Sequence, residues 1–260
     1  MPPVVFIMLD GVRPDALTTA NCPTLNSLHG RGASTMQARS VMPSITLPCH
    51  TSIFHSVPPT RHGISSNTFV PMARPLPGLV EVARAAGKRV AFFYNWEQLR
   101  DLARPGNIHY SYFRDSAYQP DGDDETVLEA TRFIQKDKPD FAFIYIGTVD
   151  TVGHDYGWMS DEYLNQLNHI DSLLGDFFAS LPADYASIIH SDHGGHDRNH
   201  GTGSDEDMLI PWMAAGPGIK KGYTIQSPVS LLDTAPTIVR LLDIQPHREW
   251  EGRCVEEIFL

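Results

Sequence analysis

The residues best suited to chemistry gather in one run, Ile188-Ile189-His190-Ser191-Asp192-His193-Gly194-Gly195-His196-Asp197-Arg198-Asn199-His200-Gly201, where an apolar stretch opens into carboxylate and imidazole. Carboxylate oxygen and imidazole nitrogen are donors that divalent ions such as Zn²⁺ take, and α/β proteins place such ligands on loops at strand ends. A lone His/Asp cluster of this kind is also common on solvated surface. Two further runs of the same shape tip the reading. Val4-Val5-Phe6-Ile7-Met8-Leu9 leads into Asp10-Gly11, and Phe141-Ala142-Phe143-Ile144-Tyr145-Ile146-Gly147 leads into Thr148-Val149-Asp150, with Gly153-His154 just after. As neighbouring parallel strands, the three runs would bring Asp10, Asp150 and Asp192 to one sheet edge, with His154, His193 and His200 beside them. Three like charges repel there unless cations hold them. The pattern therefore predicts bound metal, more than one ion.

A metal pair needs a group to act with, and Met42-Pro43-Ser44-Ile45-Thr46-Leu47-Pro48-Cys49-His50-Thr51-Ser52 offers one. Thr46, just before Leu47-Pro48, suits the first turn of a helix, where free N–H groups and the dipole favour a phosphoryl oxygen. The plainer alternative is that Ser44 or Thr46 only caps the helix.

Short apolar runs alternating with helical patterns position these groups, which is the signature of parallel strands joined by crossover helices. Helical spacing or punctuation marks residues 22–28, 76–86, 123–136 and 160–181, the last capped by Ser160. Strands are expected at 88–94 and 208–214, and a C-terminal helix at 231–242. Residues 95–122, rich in Tyr, Arg and Pro, form the candidate loop over the site. The expected fold is a single-domain α/β/α sandwich over residues 1–260 with a mostly parallel central sheet and a small or absent cap.

A chain of 260 residues with 42% apolar content can bury one large core. A net charge of −11 without a basic patch argues against a nucleic-acid polymer as partner. No apolar stretch nears the ~20 residues of a membrane span. Three cysteines with no CxxC pair and no visible signal peptide lead to the expectation of a cytoplasmic protein with free thiols. The sequence does not address the oligomeric state.

Taken in order, Asp10-Gly11, Thr46-Leu47-Pro48-Cys49-His50, His62-Gly63-Ile64-Ser65-Ser66-Asn67, Asp150 with Gly153-His154, Ser191-Asp192-His193-Gly194, and His200-Gly201 before Met208 resemble the alkaline phosphatase superfamily, in particular its nucleotide pyrophosphatase/phosphodiesterase branch. The resemblance implies one ion, usually Zn²⁺, on Asp10, Asp192, His193 and the Thr46 oxygen, and a second on Asp150, His154 and His200. His196 is the alternative to His200. It also implies in-line attack of Thr46 on a phosphate ester through a covalent phosphothreonine. A threonine nucleophile points to the diesterase branch, and the Cys/Ser-x-Pro-x-Arg motif of sulfatases is absent. Where the branch usually has an asparagine that donates to phosphate, this chain has Cys49, a weak donor. Either Asn67 fills that role, or the substrate differs from the branch's nucleotides, or Cys49 is a small buried residue without one. Asp155 and Asp197 are candidates to orient the ligand histidines. Phe69, Tyr94, Trp96, Tyr110 and Tyr112 are the aromatic candidates for holding a base. The rival readings are a phosphomonoesterase or phosphoryl-transfer enzyme on the same ions, and a non-catalytic metal- or phosphate-binding protein.

Overall fold

Six apolar residues in a row, Val4–Leu9, have no polar face to offer water and form a strand covered on both sides. In the computed structural model, which describes residues 2–260, this is β1. The other strands are β2 (Gly32–Arg39), β3 (Val90–Tyr94), β4 (Tyr110–Phe113), β5 (Phe141–Ile146), β6 (Ala186–Ser191), β7 (Leu209–Ala215) and β8 (Tyr223–Thr224). They make one eight-stranded sheet in the order β4-β3-β5-β1-β6-β7-β2-β8. β7 runs antiparallel to both β6 and β2, and the remaining pairs are parallel.

The helices are α1 (Pro14–Thr19), α2 (Pro23–Arg31), α3 (Thr46–His55), α4 (Pro59–His62), α5 (Leu79–Ala85), α6 (Gly122–Asp137), α7 (Thr148–Tyr156), α8 (Asp161–Ser180), α9 (Asp205–Met208) and α10 (Thr234–Leu241). Alternation along β1 sends Val4, Phe6 and Met8 to one face, where Ile53, Phe54, Leu79 and Ile238 cover them. Val5, Ile7 and Leu9 go to the other, beneath Leu25, Val127, Leu167 and Ile170. The result is the expected α/β/α sandwich with a mostly parallel central sheet.

Element starts and stops follow local chemistry. Ser160 accepts from the Tyr163 N–H and caps α8. The acidic first turn of α6 and its Lys136 near the end suit the helix dipole. Residues 95–122 are more ordered than their composition implies. They contain a 3₁₀ stretch, Glu97–Leu102, and the edge strand β4, whose exposed Ser111 and polar-tipped Tyr110 and Tyr112 disguised it. The three cysteines are free thiols. Among the described residues no helix is long and apolar enough to cross a membrane.

Candidate active site

Register explains why distant carboxylates meet. Leu9 pairs with Ile146 on one side and with Ser191 on the other, so Asp10 and Asp192 leave the sheet at the same level. β5 passes into α7, which carries Asp150 in its first turn and His154 one turn on, on the same face. Two clusters result. Asp10, Asp192 and His193 are buried and offer ligand atoms within 4.8 Å of one another; Asp150, His154 and His200, less buried, also offer ligand atoms within 4.8 Å of one another and line a cavity of about 270 Å³. The rings of His193 and His200 stack with centroids 3.8 Å apart and join the clusters.

The free valences of these groups point inward. Nδ1 of His154, His193 and His200 lies 3.0, 2.8 and 2.8 Å from the carbonyls of Arg198, Gly194 and Ser44. A carbonyl only accepts, so each Nδ1 carries the proton and each Nε2 is a bare lone pair. His154 Nε2 and His200 Nε2 face each other at 3.1 Å. His193 Nε2 stands 3.3 Å from Asp10 Oδ1, 3.4 Å from Asp192 Oδ2 and 3.3 Å from Thr46 Oγ1. Asp10 Oδ1, Asp150 Oδ1 and Asp192 Oδ2 are buried without a hydrogen-bond partner. Unpaired buried acceptors are costly, and a cation shared among them removes that cost. The donor set fits two divalent ions.

Electrostatics agree. Burial first, then the neighbouring Asp192 and Asp150 charges, push the Asp10 carboxyl well above its ordinary range. Asp150 is raised by burial and by Asp192, and Asp192 by burial. Burial lowers His193 to about 4 and His200 to about 3, which keeps both neutral and able to ligate near pH 7.

Thr46 is the first residue of α3, and the residue before it, Ile45, has no capping side chain. The capping alternative is thereby set aside, because Ser44 Oγ donates to the Thr202 carbonyl at 2.8 Å and Thr46 Oγ1 faces His193. His50 sits behind the site with Nδ1 on the Thr46 carbonyl, and His62 bonds Ser52 Oγ and the Ile64 N–H. His196 bonds Asp207 at 2.7 Å and stays outside both clusters.

A sequence model of the type I phosphodiesterase / nucleotide pyrophosphatase family matches residues 4–209. The chain belongs to that family. An uncharacterized pyrophosphatase/phosphodiesterase of Schizosaccharomyces pombe is 28% identical over 217 residues, 74% of this chain and 44% of the relative. Human ectonucleotide pyrophosphatase/phosphodiesterase family member 1 is 25% identical over 223 residues, 74% of this chain and 23% of the relative. The chain thus spans less than half the length of these curated relatives. Two solved structures share the fold over all of this chain. Inactive murine ectonucleotide pyrophosphatase / phosphodiesterase 5 in complex with AMP has a TM-score of 0.81 at 16% identity and is covered in full. Wild-type alkaline phosphatase PafA has a TM-score of 0.80 at 14% identity and is 99% covered.

Cys49, which stands where this family usually has an asparagine, is fully buried, with Sγ 3.3 Å from Ser40 Oγ, and it is not among the residues lining the cavity. That placement matches the small buried residue among the alternatives the sequence left open. Asn67 does line the cavity, and its Oδ1 accepts from the Leu47 N–H at 3.0 Å, which leaves the NH₂ group to donate. Asp155 and Asp197 do not orient the histidines; backbone carbonyls do. Of the five aromatic candidates only Trp96 lines the cavity, joined by Tyr118, whose OH accepts from Trp96 Nε1 at 3.1 Å. Besides Tyr118, sequence reasoning missed two groups. Tyr145 donates its OH to Asp10 Oδ2. Trp158, donating to the Gly11 carbonyl at 2.8 Å, packs edge-on against His154 and His200. The close approach of the Trp158 ring to Gly153 and Gly195 was the only signal, and it needs coordinates to be read.

Proposed function

We propose that the chain hydrolyses small phosphodiesters, nucleotides among them, with two divalent metal ions, Zn²⁺ by preference, and Thr46 as nucleophile. One observation carries the reading: unpartnered carboxylate oxygens and bare imidazole nitrogens of two clusters face the space that the Thr46 hydroxyl also faces. Asp10, Asp192, His193 and the Thr46 oxygen would hold one ion, and Asp150, His154 and His200 the other. Bound there, the ions supply Lewis acidity to the nucleophile, the water and the phosphoryl oxygens.

The chain's own residues do the rest. Thr46 Oγ attacks phosphorus as the bond to the leaving oxygen breaks on the opposite side, which gives a phosphothreonine and the leaving alcohol or phosphate. Water then attacks the same phosphorus and returns the hydroxyl to Thr46. The Thr46 N–H, the first-turn donor of α3 that Asn67 and Ile45 leave free, and the Asn67 NH₂ group donate to the phosphoryl oxygens. Trp96 and Tyr118 form a wall against which a planar leaving or retained group stacks.

A diester fits better than a monoester. No Lys or Arg lines the cavity, so the second negative charge of a monoester has no cationic side chain to meet, whereas a diester carries one charge. The test is a side-by-side assay of Zn²⁺-loaded protein on bis-p-nitrophenyl phosphate and p-nitrophenyl phosphate. Faster diester cleavage is expected, with Thr46→Ala lowering it about 10³-fold or more. Monoester preference, or activity that survives Thr46→Ala, overturns the reading.

A further inference from the structure

Between the sheet and α7 lies a carboxylate that the proposed chemistry does not use. Asp123, in the first turn of α6, is 1% exposed, and all its acceptor capacity is taken. Oδ1 accepts from Asn95 Nδ2 at 2.8 Å and from the Gly147 N–H at 3.0 Å; Oδ2 accepts from the Thr148 N–H at 3.0 Å and from Thr148 Oγ1 at 2.5 Å. Gln166 Nε2 in turn donates to Thr148 Oγ1 at 2.7 Å. Gly147 and Thr148 open α7, and Gly147 brings no side chain to cap it. The cap therefore comes from another crossover, as a full negative charge set against the positive end of the helix that carries Asp150 and His154.

We infer that Asp123 is a positioning residue for the second cluster, fixing the height and rotation of α7 so that Asp150 and His154 meet His200. Asp10, Asp192 and His193 hang from β1 and β6 and share no hydrogen bond with Asp123. Its influence is thus directed at one ion of the two. Only an ionised carboxylate satisfies the four donors; asparagine would turn an NH₂ group toward other donors. The inference rests on the two-ion reading.

The test is Zn²⁺ titration of metal-stripped protein against a competing chelator, on wild type, Asp123→Asn, Thr148→Val and Thr148→Ser. Wild type takes two ions. Asp123→Asn weakens the second ion roughly 10–100-fold and leaves the first within about threefold. Thr148→Val shifts the second ion in the same direction by less, and Thr148→Ser, which keeps the hydroxyl, restores it. Should Asp123→Asn fail to fold, the Thr148 pair decides. Equal weakening of both ions, or no change in either, overturns the inference. A wild type that takes no second ion instead overturns the two-ion reading beneath it.

Discussion

At Asp10 the two carboxylate oxygens have different surroundings: Oδ2 accepts from Tyr145, and Oδ1 is buried without a partner beside His193. Burial and the charges of Asp192 and Asp150 raise this carboxyl, and the same causes raise Asp150. A carboxylic acid raised in the folded chain favours folding below its unfolded pKa of about 4 and loses that contribution as pH climbs through its folded value. Ions bound to the cluster would displace those protons. His193 and His200, lowered to about 4 and about 3, are already neutral in the folded chain above about pH 5.5, so an ion binding there displaces no proton from them. The rise in Tm on adding Zn²⁺ is therefore expected to grow from about pH 5.5 to about pH 8, as thermal unfolding with and without the ion would register. A rise that shrinks over that range contradicts the assignment of these carboxylates as the ion's partners.

At the scale of elements, α7 and the loop after β6 are wedged together by Trp158, which is 7% exposed. A Cβ on Gly195 would lie 2.2 Å from Cε2 of that ring, closer than any packing permits. Gly195→Ala is expected to destabilise by about 1–3 kcal/mol and to lower Tm by several degrees, measured by calorimetry on the metal-loaded protein. An unchanged Tm would mean that the wedge yields freely. The same element shows what a sequence reveals and what it hides. The apolar runs β1, β5 and β6 announce themselves because strands buried on both faces carry no polar residue. β2, with Ser, Thr, Gln and Arg, and the four-residue β4 carry no such signal, so both escaped notice. Asp10, Asp150 and Asp192 could be picked out because they follow apolar runs, and Thr46 because it stands just before Leu47-Pro48 at a helix start. The alternatives for Cys49 stayed open because motif position says nothing of which side of α3 faces the core. Asp123 and Trp158 act through contacts from other crossovers, which no local pattern records.

Across the whole molecule, the sheet order decides function. β1 lies between β5 and β6, so three segments far apart in the sequence deliver their carboxylates to one edge, and the crossover helices leave that edge open to a cavity. The protein carries a net charge of −11, yet its two ions would make this one edge locally positive and attract an anionic ester. The most direct test of the account is metal content after Zn²⁺ loading and desalting, read by elemental analysis for wild type, for a His154→Ala/His200→Ala double variant and for Asp10→Ala/His193→Ala. About two ions per chain are expected in wild type and about one in each double variant. One ion or none in the wild type, or two surviving in either variant, would contradict it.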